Sequence, residues 1–137
     1  MTLTRIEISG LRGFAGVGVL EPAIADGRDG SGLTILVGPN GGGKSTVLEA
    51  MRAAGRRENP SYPIGTRNQT SHGVISIRWH ADGAEGSLTS VRSGSSETIR
   101  EPIGAKVRGL FSLASRRTFN PFSVSYTHLT LPTILRV

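Results

Sequence analysis

Cysteine is absent from the 137 residues, which excludes disulfides and thiolate metal sites and fits a cytoplasmic protein. No apolar run is long enough to span a bilayer. The opening MTLTRIEISG puts Arg5 and Glu7 where a secretory signal would need an apolar core. The Asn68-Gln69-Thr70 sequon is therefore read as chance. Lysine is also scarce: of 16 basic residues only Lys44 and Lys106 are lysines. An isolated lysine is informative in such a chain, and one of the two sits inside a glycine-rich loop.

The length suits one modest domain, and 19 glycines imply many turns. The net charge of +6 is unevenly spread. Residues 1–51 carry four basic and five acidic side chains, whereas residues 52–117 carry eleven and five. A basic second half attracts nucleic acid or nucleotide phosphates, although charge alone is equally compatible with an arginine-rich solvated surface.

Thr4–Ser9 alternates, with Ile6 and Ile8 on one side and Arg5, Glu7 and Ser9 on the other, as in a half-buried strand. Gly10–Gly13 turns the chain, and Phe14–Leu20 reads as a second short strand. Asp26–Gly32 is a loop by composition. Leu33–Val37 (LTILV) is continuously apolar, which predicts a strand covered on both faces. Lys44–Ala54 fits a helix whose Val47, Ala50, Met51 and Ala54 form one apolar face, with Gly55 as its stop. Gly55–Gly73 reads as an exposed connection. Ile75, Ile77 and Trp79 alternate in a strand, Asp82-Gly83 signals a hairpin turn, and weaker strands follow near Leu88–Val91 and Glu97–Arg100. Val107–Leu113 fits strand or helix equally.

The loop before the helix carries the chemistry. Gly38-Pro39-Asn40-Gly41-Gly42-Gly43-Lys44-Ser45-Thr46 satisfies GxxxxGK[ST], the Walker A pattern, between an apolar segment and an amphipathic helix. The β- and γ-phosphates of a nucleotide carry several negative charges, and a wrapped backbone presents many N–H donors to them. Glycines let that backbone approach closely and take positive φ. The helix N-terminus adds its positive end. Lys44 is expected on the β- and γ-oxygens of ATP and the Ser45 hydroxyl on Mg²⁺.

Ile6–Phe14 (IEISGLRGF), the glycine loop and Ser45–Ala50 (STVLEA) together resemble the start of RecF-, SMC- and OLD-type ATPases, members of the ABC-ATPase class of P-loop proteins. The resemblance covers roughly residues 3–54 and fades beyond residue 55 into what reads as a β-rich insertion. It implies an α/β P-loop NTPase fold, here incomplete and carrying an antiparallel β-rich appendage. It further implies ATP and Mg²⁺ as ligands, DNA as a partner of the intact protein, and a head-to-tail dimer. Arg12, in the turn, is implied to approach the bound nucleotide. Gln69 is the only glutamine, and such ATPases place a glutamine against Mg²⁺ and the attacking water. Its setting in a polar connection, not at a strand end, argues against that role. Arg116-Arg117 within SRRTFNPF is only vaguely similar to related bacterial AAA-type ATPases and carries no role. His72 and His80 lack partners at ligand spacing and read as surface residues.

Hydrolysis in this class needs a Walker B segment, an apolar strand ending in Asp followed by a catalytic Glu, and a signature sequence. Neither is found, so the catalytic residues are not identified. Val124–Thr133 (VSYTHLTLPT) resembles a translated transposon-end sequencing adapter. Residues 1–123 are accordingly expected to be the N-terminal part of an ATPase domain, and residues 124–137 a non-native tail. Three functions remain open: an ATPase of DNA repair, maintenance or phage defence, the ATPase subunit of a membrane transporter, and a fragment that only binds nucleotide. The IEISGLRGF opening favours the first, because transporter subunits usually carry an aromatic adenine-stacking residue upstream and lack this turn.

Overall fold

Alternation builds the first strand of the sheet, β1 (Leu3–Ser9), with Ile6 and Ile8 buried between half-exposed neighbours. The computed structural model describes residues 2–55, 60–104 and 107, with residues 101–104 described by backbone alone. Within them lie β2 (Gly18–Leu20), α1 (Lys44–Gly55), β3 (Ile75–Ala81), β4 (Ala84–Ser93) and β5 (Ser96–Gly104). The five strands form one sheet in the order β2-β1-β3-β4-β5. Every pairing is antiparallel.

The period-2 pattern places Ile75, Ile77, Trp79 and Ala81 of β3 on the same face, all fully buried. Register joins them to their neighbours: Ile6 faces Trp79, Ile8 faces Ile77, and Ile77 faces Leu88. Helix α1 covers this face through Ala50, Ala53 and Ala54, with Val47 and Met51 at the margin. Four of these five are the residues whose spacing predicts the apolar stripe. Each fully buried Ile or Leu side chain contributes roughly 1.5–3 kcal/mol.

The hairpin between β3 and β4 turns at Asp82-Gly83, both with positive φ (50° and 75°). That is the I′ geometry whose twist matches the flanking strands. Across it, Trp79 pairs with Gly86. A Cβ at Gly86 would lie 2.3 Å from the Trp79 Cε2, so the indole occupies the space that a side chain would need.

Three expectations are corrected. Leu33–Val37 is not a strand: it joins none of the described ladders, and Leu33, Ile35 and Val37 are 68%, 71% and 88% exposed. A strand apolar on both faces needs pairing partners on its edges and cover on both sides. The described sheet ends at β2 and β5, and neither edge pairs with this segment. Phe14–Leu20 is a strand only over Gly18–Leu20, because the chain is still turning at Phe14. The Gly10 N–H donates to the Phe14 carbonyl (2.7 Å) and the Phe14 N–H to the Leu11 carbonyl (3.0 Å). Finally, β3–β5 are no separate appendage, since β3 pairs directly with β1 along most of its length.

The connection before β3 is anchored, not simply exposed. Tyr62 is buried, and the Arg67 side chain is 2% exposed. The Arg67 guanidinium donates to the carbonyls of Tyr62 (3.1 Å) and Gly73 (2.6 Å), to Ser90 Oγ, and to Glu97 Oε1 (2.6 Å). Glu97 also accepts from Ser61 Oγ and the Tyr62 N–H. Burial pushes the Glu97 carboxyl up, but the hydrogen bonds from Ser61, Tyr62 and Ser90 and the charge of Arg67 outweigh it. The net result is a carboxyl held below its ordinary range. Beyond α1, Val107 is buried and its N–H donates to the Ala54 carbonyl (3.2 Å). The remainder of Val107–Leu113, Arg116-Arg117 and the tail Val124–Val137 lie outside the described residues.

Candidate functional site

The glycine loop and the turn after β1 meet at one cavity of about 570 Å³, lined by Arg12, Gly13, Phe14 and Asn40 through Thr46. Two distant stretches of sequence thus share a wall. Gly41 and Gly43 have φ of +83° and +85°, the left-handed region that favours glycine. At Gly43 a Cβ would stand 3.1 Å from the Phe14 ring. The ring also covers Gly18, where a Cβ would fall 2.4 Å away. The Phe14 ring therefore packs against the backbones of Gly18 and Gly43, where an added side chain would crowd it.

Inside the loop the Gly42 N–H donates to the Pro39 carbonyl (3.1 Å), and the Val47 N–H to the Gly43 carbonyl (3.0 Å) opens α1. The first-turn N–H groups of a helix have no intrahelical acceptor, and here they stand at the cavity with the positive end of the helix dipole. Ser45 is exposed and Thr46 buried. Lys44 Nζ folds back over the loop, donating to the carbonyls of Gly38 (2.7 Å) and Pro39 (2.6 Å). An ammonium group has three donors, so one remains for an incoming oxygen.

Arg12 takes φ of +49° and its Nη2 lies 3.0 Å from Glu49 Oε2 on α1. That ion pair ties the turn to the helix beside the cavity. None of the described residues lining the cavity is a carboxylate. The donors are backbone N–H groups, an ammonium and a guanidinium, a set suited to a multiply charged anion. Gln69 is exposed in a 3₁₀ turn (Gln69–Ser71) and does not line the cavity. His72 is exposed, and His80 lies 3.3 Å from Glu85. Among the described residues no three His, Cys, Asp or Glu side chains are grouped to hold a metal ion.

A family model described as an AAA domain matches residues 5–106. The chain belongs to that family. The match runs from β1 into the residues after β5, so β3–β5 fall within the family's extent and not in an insertion beyond it. Membership of the AAA domain family supports nucleotide binding of the P-loop ATPase type. No curated protein matches the chain in sequence. No helix among the described residues is long and apolar enough to cross a membrane.

Sequence reasoning missed Phe14 and Glu49 as parts of this site. They belong to IEISGLRGF and STVLEA, yet neither string shows that the ring packs on the loop or that the carboxylate holds Arg12.

Proposed function

We propose that the chain binds ATP with Mg²⁺ in this cavity through a Walker A loop, Gly38–Thr46. We read it as the N-terminal piece of an ABC-class ATPase of the RecF, SMC and OLD type. The observation that carries the reading is the convergence of Lys44, the N-terminal turn of α1 and Arg12 on one cavity that no carboxylate among the described residues lines. A volume of about 570 Å³ lies within the range of nucleotide-sized sites. The donor set fits phosphate, with Lys44 able to serve the β- and γ-oxygens without leaving the loop carbonyls entirely. Ser45 offers one hydroxyl oxygen toward Mg²⁺, an ion that keeps most of its shell from phosphates and water. When bound, Mg²⁺ would neutralise charge between the β- and γ-phosphates.

Action on DNA in repair, maintenance or defence, within a head-to-tail dimer, rests on the IEISGLRGF turn and on the basic balance of residues 52–117. The same turn weighs against a transporter subunit. For the 137-residue chain itself, binding without turnover is favoured, because no carboxylate among the described residues lines the cavity to orient a water. Calorimetric titration with MgATP and MgADP tests the core of this reading. Lys44→Ala should weaken binding about tenfold or more, since a charge-assisted hydrogen bond to phosphate is worth roughly 1.5–3 kcal/mol. No binding by the unaltered chain, or equal affinity in Lys44→Ala, overturns it.

A further inference from the structure

The anchored connection before β3 reaches the candidate site through backbone. The turn carrying Arg12 and Phe14 is held on both sides of Leu11 by residues 66–68. The Arg12 N–H donates to the Thr66 carbonyl (2.7 Å), and the Asn68 N–H donates to the Gly10 carbonyl (2.8 Å). Asn68 Nδ2 adds a bond to the Arg12 carbonyl (2.6 Å). Leu11 and Arg67 form an isolated antiparallel bridge between these bonds, and Leu11 is fully buried. Arg12 meanwhile sits at φ +49°, a conformation that a non-glycine residue holds only when its surroundings impose it.

What holds the clamp itself is the Arg67 side chain. It spans Tyr62, Gly73, Ser90 and Glu97, so it ties the clamping segment to β4 and β5. Ser90 Oγ donates to Glu97 Oε1 (2.8 Å), which closes the cluster. A guanidinium can serve carbonyl, hydroxyl and carboxylate at once because its donors are fixed in a fork. A lysine ammonium cannot match that geometry. The cluster and the cavity share no residue, so the coupling runs through residues 66–68 and 10–12, by their backbone bonds and the Asn68 side chain.

We propose that Arg67, held by Glu97 and Ser90, is a positioning residue for the nucleotide cavity: it sets the wall formed by Arg12 and Phe14 without touching the ligand. The proposal rests on nucleotide binding in that cavity. In Arg67→Lys the wall loses its fixed place, and MgATP affinity should fall about tenfold, as it would without one charge-assisted hydrogen bond.

The test compares Arg67→Lys with Leu88→Ala in the full chain, at a temperature where both remain folded by circular dichroism. Leu88 is buried in the same sheet but bonds to no part of the turn, so it reports loss of stability alone. MgATP titration is read together with amide hydrogen exchange at Arg12 and Asn68. The expected result is weaker binding and faster exchange at those two amides in Arg67→Lys, with both unchanged in Leu88→Ala. Combining Arg67→Lys with Arg12→Ala should cost less than the two single losses together, because both act on one wall. Unchanged affinity in Arg67→Lys, or an equal loss in Leu88→Ala, overturns the positioning role while leaving nucleotide binding intact. Failure of the unaltered chain to bind MgATP overturns both, and is a distinct outcome.

Discussion

Placing a methyl group at Gly86 tests the core of the sheet most directly. In Gly86→Ala the new Cβ would lie 2.3 Å from the Trp79 Cε2, 2.4 Å from Nε1 and 2.5 Å from Cζ2. Carbon atoms in contact settle at about 3.5–4.0 Å, so the indole must retreat by roughly 1 Å. It has little room to do so, since Trp79 is fully buried and paired on its other side with Ile6. Overpacking of this kind costs about 1–3 kcal/mol, and three overlapping ring atoms put this site at the upper end. For a domain of about 100 residues each kcal/mol lowers Tm by roughly 4–8 °C, which gives a fall of about 10–20 °C. Trp79 is the only tryptophan in the chain, so its fluorescence during thermal unfolding reports the transition and the change in its own surroundings together. An unchanged Tm with an unchanged emission maximum would refute the packing of the indole over Gly86. Gly86 does not line the cavity, so MgATP affinity of the folded variant should stay the same.

Gly43→Ala combines a strained φ with a methyl group 3.1 Å from the Phe14 ring. It should weaken MgATP binding in calorimetry by roughly tenfold while costing about 1–2 kcal/mol of stability. Glu97 predicts an acid-sensitive fold: its folded-state pKa lies below the unfolded one. Its stabilisation is therefore complete above the ordinary carboxylate pKa of about 4.3 and is lost as pH falls below that value. Urea midpoints of the unaltered chain and Glu97→Gln should differ at neutral pH and converge in acid, and a gap constant with pH would refute the assignment. Phosphate release from the 137-residue chain should stay at background with or without DNA, since positioning phosphates does not orient a water. Turnover abolished by Lys44→Ala would instead reveal a carboxylate that reaches the cavity, with Glu49, paired to Arg12 beside it, the first to mutate.

Local rules made much of this chain legible. Alternation marked β1 and β3, because a sheet with one buried face sorts side chains by twos. The 3.6-residue spacing of Val47, Ala50, Met51 and Ala54 marked α1, and Asp82-Gly83 marked its hairpin through the positive φ that such turns demand. The proposed phosphate loop is a reading of the same local kind, since the chemistry expected of it depends on contiguous backbone and one lysine at fixed spacing.

Tertiary structure alone decided the rest. Leu33–Val37 has the composition of a buried strand, but composition cannot say whether partners stand on either side, and the described sheet leaves it exposed. Arg67 carries no local signal at all. In a polar connection it reads as one more solvated arginine, yet it is buried because Glu97 and Ser90 from distant strands, with the carbonyls of Tyr62 and Gly73, satisfy its donors. Phe14 and Arg12 face the glycine loop through some thirty intervening residues. That meeting requires β1 to seat against β3 and residues 66–68 to grip the turn, contacts between segments far apart in the chain that no short window contains.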